Sequence, residues 1–576
     1  MPESRIEMTA FPGDQTAAME ATIARLRRRI DQLNAIGVAL SSEQDSARLV
    51  EQILLGAKEI TNADGGTVYS RLADGSLRFE IMRNDTLGVA LGGTSGRAVP
   101  YQPPPLKNAD GKPNHASVVA HCVLTGQTVN IPDAYDAAGF DFVATRAFDA
   151  RTGYRSVSML TVPMRNHEGE ITGVLQLLNA RDGNGKVAPF TAADQRVVES
   201  LASQAATALS KHELIEGMRT LFESFVKLIA AAIDEKSPYT GGHCRRVPEL
   251  TMLLAEAAAR VRQGPLAGFA MNEHDRYELR IAAWMHDCGK ITTPEYVMDK
   301  ATKLQTIYDR IGVIETRWEI LRRDLEIDHL RRVAAGADRE QSQAQWTAAA
   351  AALEADLEFL RRANTGGEFM KPDDQARIRA IAGRTWRADD GSLEGWLTEN
   401  EARNLTIAKG TLLPEERLTI NRHMDATIRM LEALPYPKHL RRVPEFAGGH
   451  HERMDGKGYP KGLTRDQMSI QARVMGIADI FEALTADDRP YKKAMRLSTA
   501  LDILGRMALE GHIDPDLFQV FISEKVYADY ARRFLHQEQI DNVDPERIPG
   551  YRAPAPVDAG TPAPTPAPGR SGLNAP

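Results

Sequence analysis

The sequence predicts a multidomain protein: an α/β unit, then a long connecting helix, then an all-α unit carrying an inserted helical hairpin. Three observations carry this. At 576 residues the chain is too long for one hydrophobic core. Between residues 46 and 212, short strand-like runs alternate with Gly, Asp and Asn turns. From Asp194 to about Asp234 apolar and small residues hold a helical spacing, and beyond Ser237 apolar helical stretches carry His and Asp.

Composition bounds the function. The chain is 43% hydrophobic and 26% charged with net charge −7, so no global basic field draws in DNA or an anionic membrane. An anionic substrate must meet a local cationic pocket instead. The three cysteines (Cys122, Cys244, Cys288) show no CxxC spacing, which fits a reducing cytoplasm. No signal pattern and no apolar run of the ~20 residues needed to span a bilayer is present, so the expectation is a cytoplasmic protein without membrane contact.

In chain order, residues 1–45 hold an N-terminal helix with Met19, Ile23, Leu26, Ile30 and Leu33 on one stripe. Residues 46–212 form the α/β unit. A helix near Ser46–Ile60 precedes strand-like runs at Gly66–Ser70, Leu77–Arg83, Gln127–Ile131, Leu160–Arg165 and Thr172–Asn179. A hairpin turns at His167-Glu168-Gly169, and Thr191 is a plausible cap for the helix that follows. This stretch resembles a GAF domain, a small-molecule sensory module. Asn179, Phe190 and Asp194 match three positions of the NKFDE signature of cyclic-nucleotide-binding GAF domains, while Ala180 and Gln195 break it. The resemblance implies a small ligand, or a domain used only for dimerisation and relay.

Residues 213–235 are read as a connecting signalling helix. Ile215, Met218, Phe222, Phe225 and Ile229 keep three–four steps, with a phase slip near Ile215–Met218, and predict a homodimer seam.

The chemistry gathers in residues 236–304 and 409–545. His243 opens a helix, and Ile281–Lys290 is an apolar helix ending in His286-Asp287, then Gly289 and Lys290. A His-Asp pair on a buried helix is costly unless a cation compensates it. Pro414 opens a helix read as carrying His423, His450 and His451 precede a Gly-x-Gly turn, and Asp479 lies on a later helix. An adjacent His pair before a polar turn is equally compatible with an ordinary surface when taken alone. Five histidines and two aspartates supply N and O donors for two octahedral ions, favouring Fe or Mn over Zn or Ni.

The ordered set His243, His286-Asp287-x-Gly289-Lys290, His423, His450-His451-Glu452-x-x-Asp455-Gly456-x-Gly458-Tyr459-Pro460, Asp479 and Arg489-Pro490-Tyr491-Lys492 resembles the HD-GYP family. That family is a subgroup of HD-domain phosphohydrolases that degrades cyclic di-GMP. The resemblance implies a metal centre held by His243, His286, Asp287, His423, His450, His451 and Asp479. It implies phosphate contacts from Lys290, Tyr459, Arg489 and Lys492, with Asp287 and Lys290 as the catalytic pair. Members with three metals place a Glu where Tyr239 stands, so two ions are expected. The products would be pGpG and/or GMP. Glu482 stands where the family more often has Asp.

Residues 305–408 exceed what the family expects. Ile307, Ile311, Ile314, Trp318, Leu321 and Leu325 form one arm of a hairpin, and Trp346, Leu353, Leu357 and Leu360 the other. It is either a solvated hairpin or a docking arm for a protein partner. Residues 546–576 are read as a disordered Ala/Pro-rich tail. Three functions compete: a cyclic di-GMP phosphodiesterase, a non-hydrolysing binding module, and a phosphodiesterase for another cyclic dinucleotide such as cyclic GMP-AMP.

Overall fold

The computed structural model describes residues 20–553 apart from 21–22, 25–26, 28–29, 40–41, 44, 73, 237–241, 367–368 and 488–493. The chain divides into two compact units, Met1–Leu221 and Phe222–Pro576. The N-terminal stripe falls partly, and the 554–576 tail wholly, outside the described residues; residues 30–39 are helical.

The first unit begins with helix α1 (Ser46–Thr61), capped by Asp45, whose carboxylate accepts from Arg48 N. Strands β1 (Ala63–Arg71), β2 (Leu77–Asn84), β3 (Val89–Gly92), β4 (Val129–Ile131), β5 (Met159–Arg165), β6 (Ile171–Arg181) and β7 (Val187–Ala188) follow. Helices α2 (Val118–Thr125) and α3 (Val143–Thr152) interrupt them. The sheet runs β3-β2-β1-β6-β5-β4, every pair antiparallel, with β7 beside β6.

Strand β1 is buried on both faces because both are covered. On one side α1 and the first turns of helix α4 (Ala192–Lys236) pack Leu49, Ile53, Leu54, Val198, Leu201 and Ala205 against Val68, Val162 and Leu175. Smaller clusters built on Val119, Cys122 and Val123 of α2, and on Phe142, make up the rest of the core. Helix α4 starts with a reciprocal cap: Thr191 N and Oγ1 donate to Asp194, and Asp194 N donates to Thr191 Oγ1. Its buried face in the second unit is Val226, Ala230 and Ile233. Phe222 packs there too, so the expected stripe through Phe222 is corrected. The other expected seam positions, Ile215, Met218, Phe225 and Ile229, are exposed, as are Leu214, Leu221 and Leu228.

The second unit is built from α5 (His243–Arg260), α6 (Glu273–Met285), α7 (Glu295–Met298), α8 (Ile311–Ala334), α9 (Arg339–Asn364), α10 (Pro372–Ala382), α11 (Glu399–Leu405), α12 (Pro414–Asn421), α13 (His423–Glu432), α14 (Val443–Gly448), α15 (Ile470–Thr485), α16 (Leu497–Leu509), α17 (Pro515–Ser523) and α18 (Val526–Phe534). Its main core joins α5, α6 and α14–α18. A separate cluster joins Ile314, Leu353, Leu357, Leu360, Ile378, Trp396 and Leu405.

Four expectations need correction. The 305–408 stretch is not purely helical, because β8 (Thr385–Arg387) and β9 (Leu393–Gly395) pair across an Asp-Gly turn within it. Ile307 precedes α8 and is 93% exposed, so it belongs to no helical arm. His423 does not share a helix with Pro414; it opens α13 after a break at Arg422. Residues 546–552 are packed, not disordered: Ile548 is buried, and Gln519 Nε2 donates to Gly550 O while Arg552 N donates to Gln519 Oε1.

Candidate metal centre

Six of the seven candidate ligands stand at or just beyond a helix terminus, and the seventh lies in mid-helix. His286 ends α6 and Asp287 follows it, His243 and His423 open α5 and α13, His450 and His451 follow α14, and Asp479 sits within α15. The His286–Lys290 turn packs directly on α13. A Cβ at Gly289 would lie 2.0 Å from His423 O, and Gly289 N donates to Thr427 Oγ1 at 2.9 Å. Only glycine lets these two segments approach so closely.

The structure gathers the seven residues into two groups. Asp287, His423, His450 and His451 form one; His243, His286, Asp287 and Asp479 form the other. Within each, one donor atom per residue lies within 4.8 Å of all the rest, and Asp287 belongs to both. His243 Nε2 is 3.2 Å from Asp287 Oδ2 and 3.3 Å from Asp479 Oδ1, and His423 Nε2 is 3.3 Å from Asp287 Oδ1.

Ring orientation follows from the backbone. His286, His423 and His450 place Nδ1 at 2.8, 2.6 and 2.6 Å from the carbonyls of Ala283, Ile420 and Ala447, three residues back. A carbonyl only accepts, so Nδ1 carries the proton and the Nε2 lone pair of the neutral ring is left for the centre. His423 Nε2, His450 Nε2 and Asp287 Oδ1 are buried without a hydrogen-bond partner among the described residues. Orphaned buried acceptors facing one another fit a cation.

Electrostatics agree. Burial holds His450 well below the usual histidine range, helped by His451 and His286, and burial takes His451 down to about 4; both rings are neutral at pH 7. Burial alone would raise Asp287, but the Lys290 charge and His286 hold it well below the carboxylate range. Asp479 is likewise held down against burial by its histidine neighbours. Lys290 Nζ lies 2.5 Å from Asp287 Oδ2 and is mostly buried, so it is no solvated surface charge.

The motif after the His pair is scaffolding with one half-buried product. Glu452 is buried and accepts from Lys461 N and Leu463 N, closing the loop. A Cβ at Gly458 would meet Arg453 N and Glu452 Cα at 2.4 Å. Asp455 accepts from Arg453 and Lys457 N. The product is Tyr459, whose ring stacks on His451 at 4.8 Å. Arg489, Lys492 and Tyr239 lie outside the described residues.

Glu482, which the sequence marks only as a departure from the family's more frequent Asp, is buried and contacts His243 Nδ1 and Arg246. Its position three residues after Asp479 on α15 was the available signal, since i and i+3 share a helix face.

A family model for the GAF domain matches residues 45–209, and one for an HD domain matches residues 400–517. The chain carries a GAF domain and an HD domain. It is similar to the 3′3′-cGAMP-specific phosphodiesterase 3 of Vibrio cholerae serotype O1, 26% identical over 296 residues, or 51% of this chain and 37% of that protein. The 3′3′-cGAMP-specific phosphodiesterase 1 of the same organism is 36% identical over 113 residues, 20% of this chain and 25% of that protein. A cyclic di-GMP phosphodiesterase of Pseudomonas aeruginosa is 39% identical over 114 residues, 20% of this chain and 26% of that protein. The chain therefore spans well under half the length of these relatives.

In the GAF domain, the three signature matches are structurally employed. Asn179 is at φ 54°; its Oδ1 accepts from Val157 N and Ser158 N, and its Nδ2 donates to Tyr154 OH and Arg155 O. Phe190 is in the core, and Asp194 is the cap partner of Thr191. No helix among the described residues is long and apolar enough to cross a membrane.

Proposed function

We propose that the chain is a metal-dependent phosphodiesterase that opens a cyclic dinucleotide, cyclic di-GMP first, to pGpG and/or GMP under control of the GAF domain. The observation that supports it is the pair of His/Asp groups sharing Asp287, with unpartnered nitrogens aimed inward. His423, His450, His451 and Asp287 would hold one divalent cation, and His243, His286, Asp479 and Asp287 the second, with Fe or Mn favoured by the N/O donor set. Two such ions, when bound, would supply Lewis acidity for in-line displacement at phosphorus by water.

The chain's own residues do the rest. Lys290 is cationic beside Asp287 and offsets charge on the phosphoryl oxygens. Burial raises the Tyr459 phenol, so it stays protonated and can donate to a phosphate. Arg489 and Lys492 are assigned the same phosphate-binding role by motif position. The decisive experiment compares turnover of cyclic di-GMP and 3′3′-cGAMP by one anaerobically loaded preparation. Hydrolysis of neither, with metal in place, overturns the enzyme reading in favour of a non-hydrolysing binding module.

A second substrate reading, cyclic GMP-AMP, is favoured by the two Vibrio cholerae relatives. The helices α8 and α9, with their own hydrophobic cluster, are read as an insertion in the HD-type domain that offers a docking arm. Leu214, Met218, Leu221, Phe225 and Leu228, all more than half exposed and in four–three steps on α4, support a homodimer seam. Buried free cysteines fit a cytoplasmic setting.

A further inference from the structure

The four buried histidines of the centre are not oriented alike. Three donate Nδ1–H to the carbonyl three residues earlier. His243 opens its helix, and the residue three positions earlier lies outside the described residues. Its Nδ1 instead meets Glu482 Oε2 at 2.5 Å, while Glu482 Oε1 accepts from Arg246 Nε at 2.6 Å. Both acceptor oxygens are thus committed, one to each donor. Glu482 is 1% exposed and lies one turn along α15 from Asp479, so one rigid helix carries both the ligand and the group that aims a second ligand.

We propose that Glu482, held in place by Arg246, is the positioning residue that fixes the tautomer and direction of His243, and that one of the two cation sites depends on it. This rests on the metal reading given under Proposed function. A carboxylate can satisfy His243 and Arg246 at once because it has two acceptor oxygens; an amide has one. Glu482→Gln keeps the volume but sets two donors competing for a single oxygen. Removing the second donor in Glu482→Gln/Arg246→Met frees that oxygen to turn to Nδ1–H. A role in folding alone predicts the opposite order, since the double variant loses more contacts.

The test is metal titration of the full chain with Mn(II), counting ions per chain and reading the affinity of each site, alongside unfolding of the chelated proteins. Wild type is expected to take about two ions, and Glu482→Gln to bind one of them about 10- to 100-fold more weakly. The double variant is expected to recover most of that loss even if its chelated form unfolds more readily. Unchanged affinities in Glu482→Gln, or a double variant weaker than the single one, overturn this proposal alone. Wild type that takes up no ion overturns it together with the metal reading.

Discussion

Two sets of motif residues, one in each unit, look equally promising in the sequence and differ in the structure. Asn179, Phe190 and Asp194 of the GAF domain are saturated: the Asn179 amide makes four hydrogen bonds, Phe190 is packed, and Asp194 closes a helix cap. The His/Asp set of the second unit keeps its hydrogen bonds on the outer nitrogens and leaves Nε2 and carboxylate atoms facing one another. A side chain whose bonding capacity is spent locally holds the fold. One whose far side is anchored and near side is bare is prepared for a ligand.

Four substitutions separate the two sets of residues. The largest effect falls on Asp287, common to both groups. Asp287→Ala should lose both ions and reduce turnover by about 1,000-fold or more, measured on metal-counted samples. Gly458→Ala is next. Its Cβ has no room beside Glu452 and Arg453, so stability should fall by about 1–3 kcal/mol, read by denaturant unfolding. With Tyr459 pushed off His451, kcat should drop by about 10- to 100-fold.

Asn179→Ala should act on stability alone. Four hydrogen bonds go and alanine tolerates the positive φ poorly, so the first unit should lose about 2–4 kcal/mol while metal content stays at the wild-type value. A loss of metal there would blur the distinction between the two sets.

The smallest effect is on Asp64, buried beneath Arg181 and bonded to Thr86 and Tyr154. Burial would raise its carboxyl, but the Tyr154 and Thr86 hydrogen bonds and the Arg181 charge lower it below its ordinary value. Its contribution is present above the unfolded-chain value of about 3.9 and is lost as pH falls through the lower native value. Acid unfolding of the first unit should therefore show a slope below about pH 4 that Asp64→Asn flattens.

Much of the candidate centre is legible in the sequence because its residues are strung along the chain in a fixed order with short local motifs. The string from His450 to Pro460 encodes its own loop: Glu452 ties its end, and Gly458 permits the close turn. What escaped is tertiary. Periodicity marks the apolar positions of α4 but cannot say which face meets a core, and Val226, Ala230 and Ile233 won that place over the Ile229 face. Strands β3, β8 and β9 are only three or four residues long, too short for alternation to register. Ile548 is a lone apolar residue among Pro and Gly. Its burial depends on Gly505, whose missing side chain admits Pro549 O.

The most direct test of the central claim is the number of divalent cations held per folded chain after anaerobic loading with Fe(II) or Mn(II), with Asp287→Ala beside it. Wild type is expected to hold about two ions and the variant to retain none. A folded wild type that holds no ion, or a variant that keeps both, would contradict that claim.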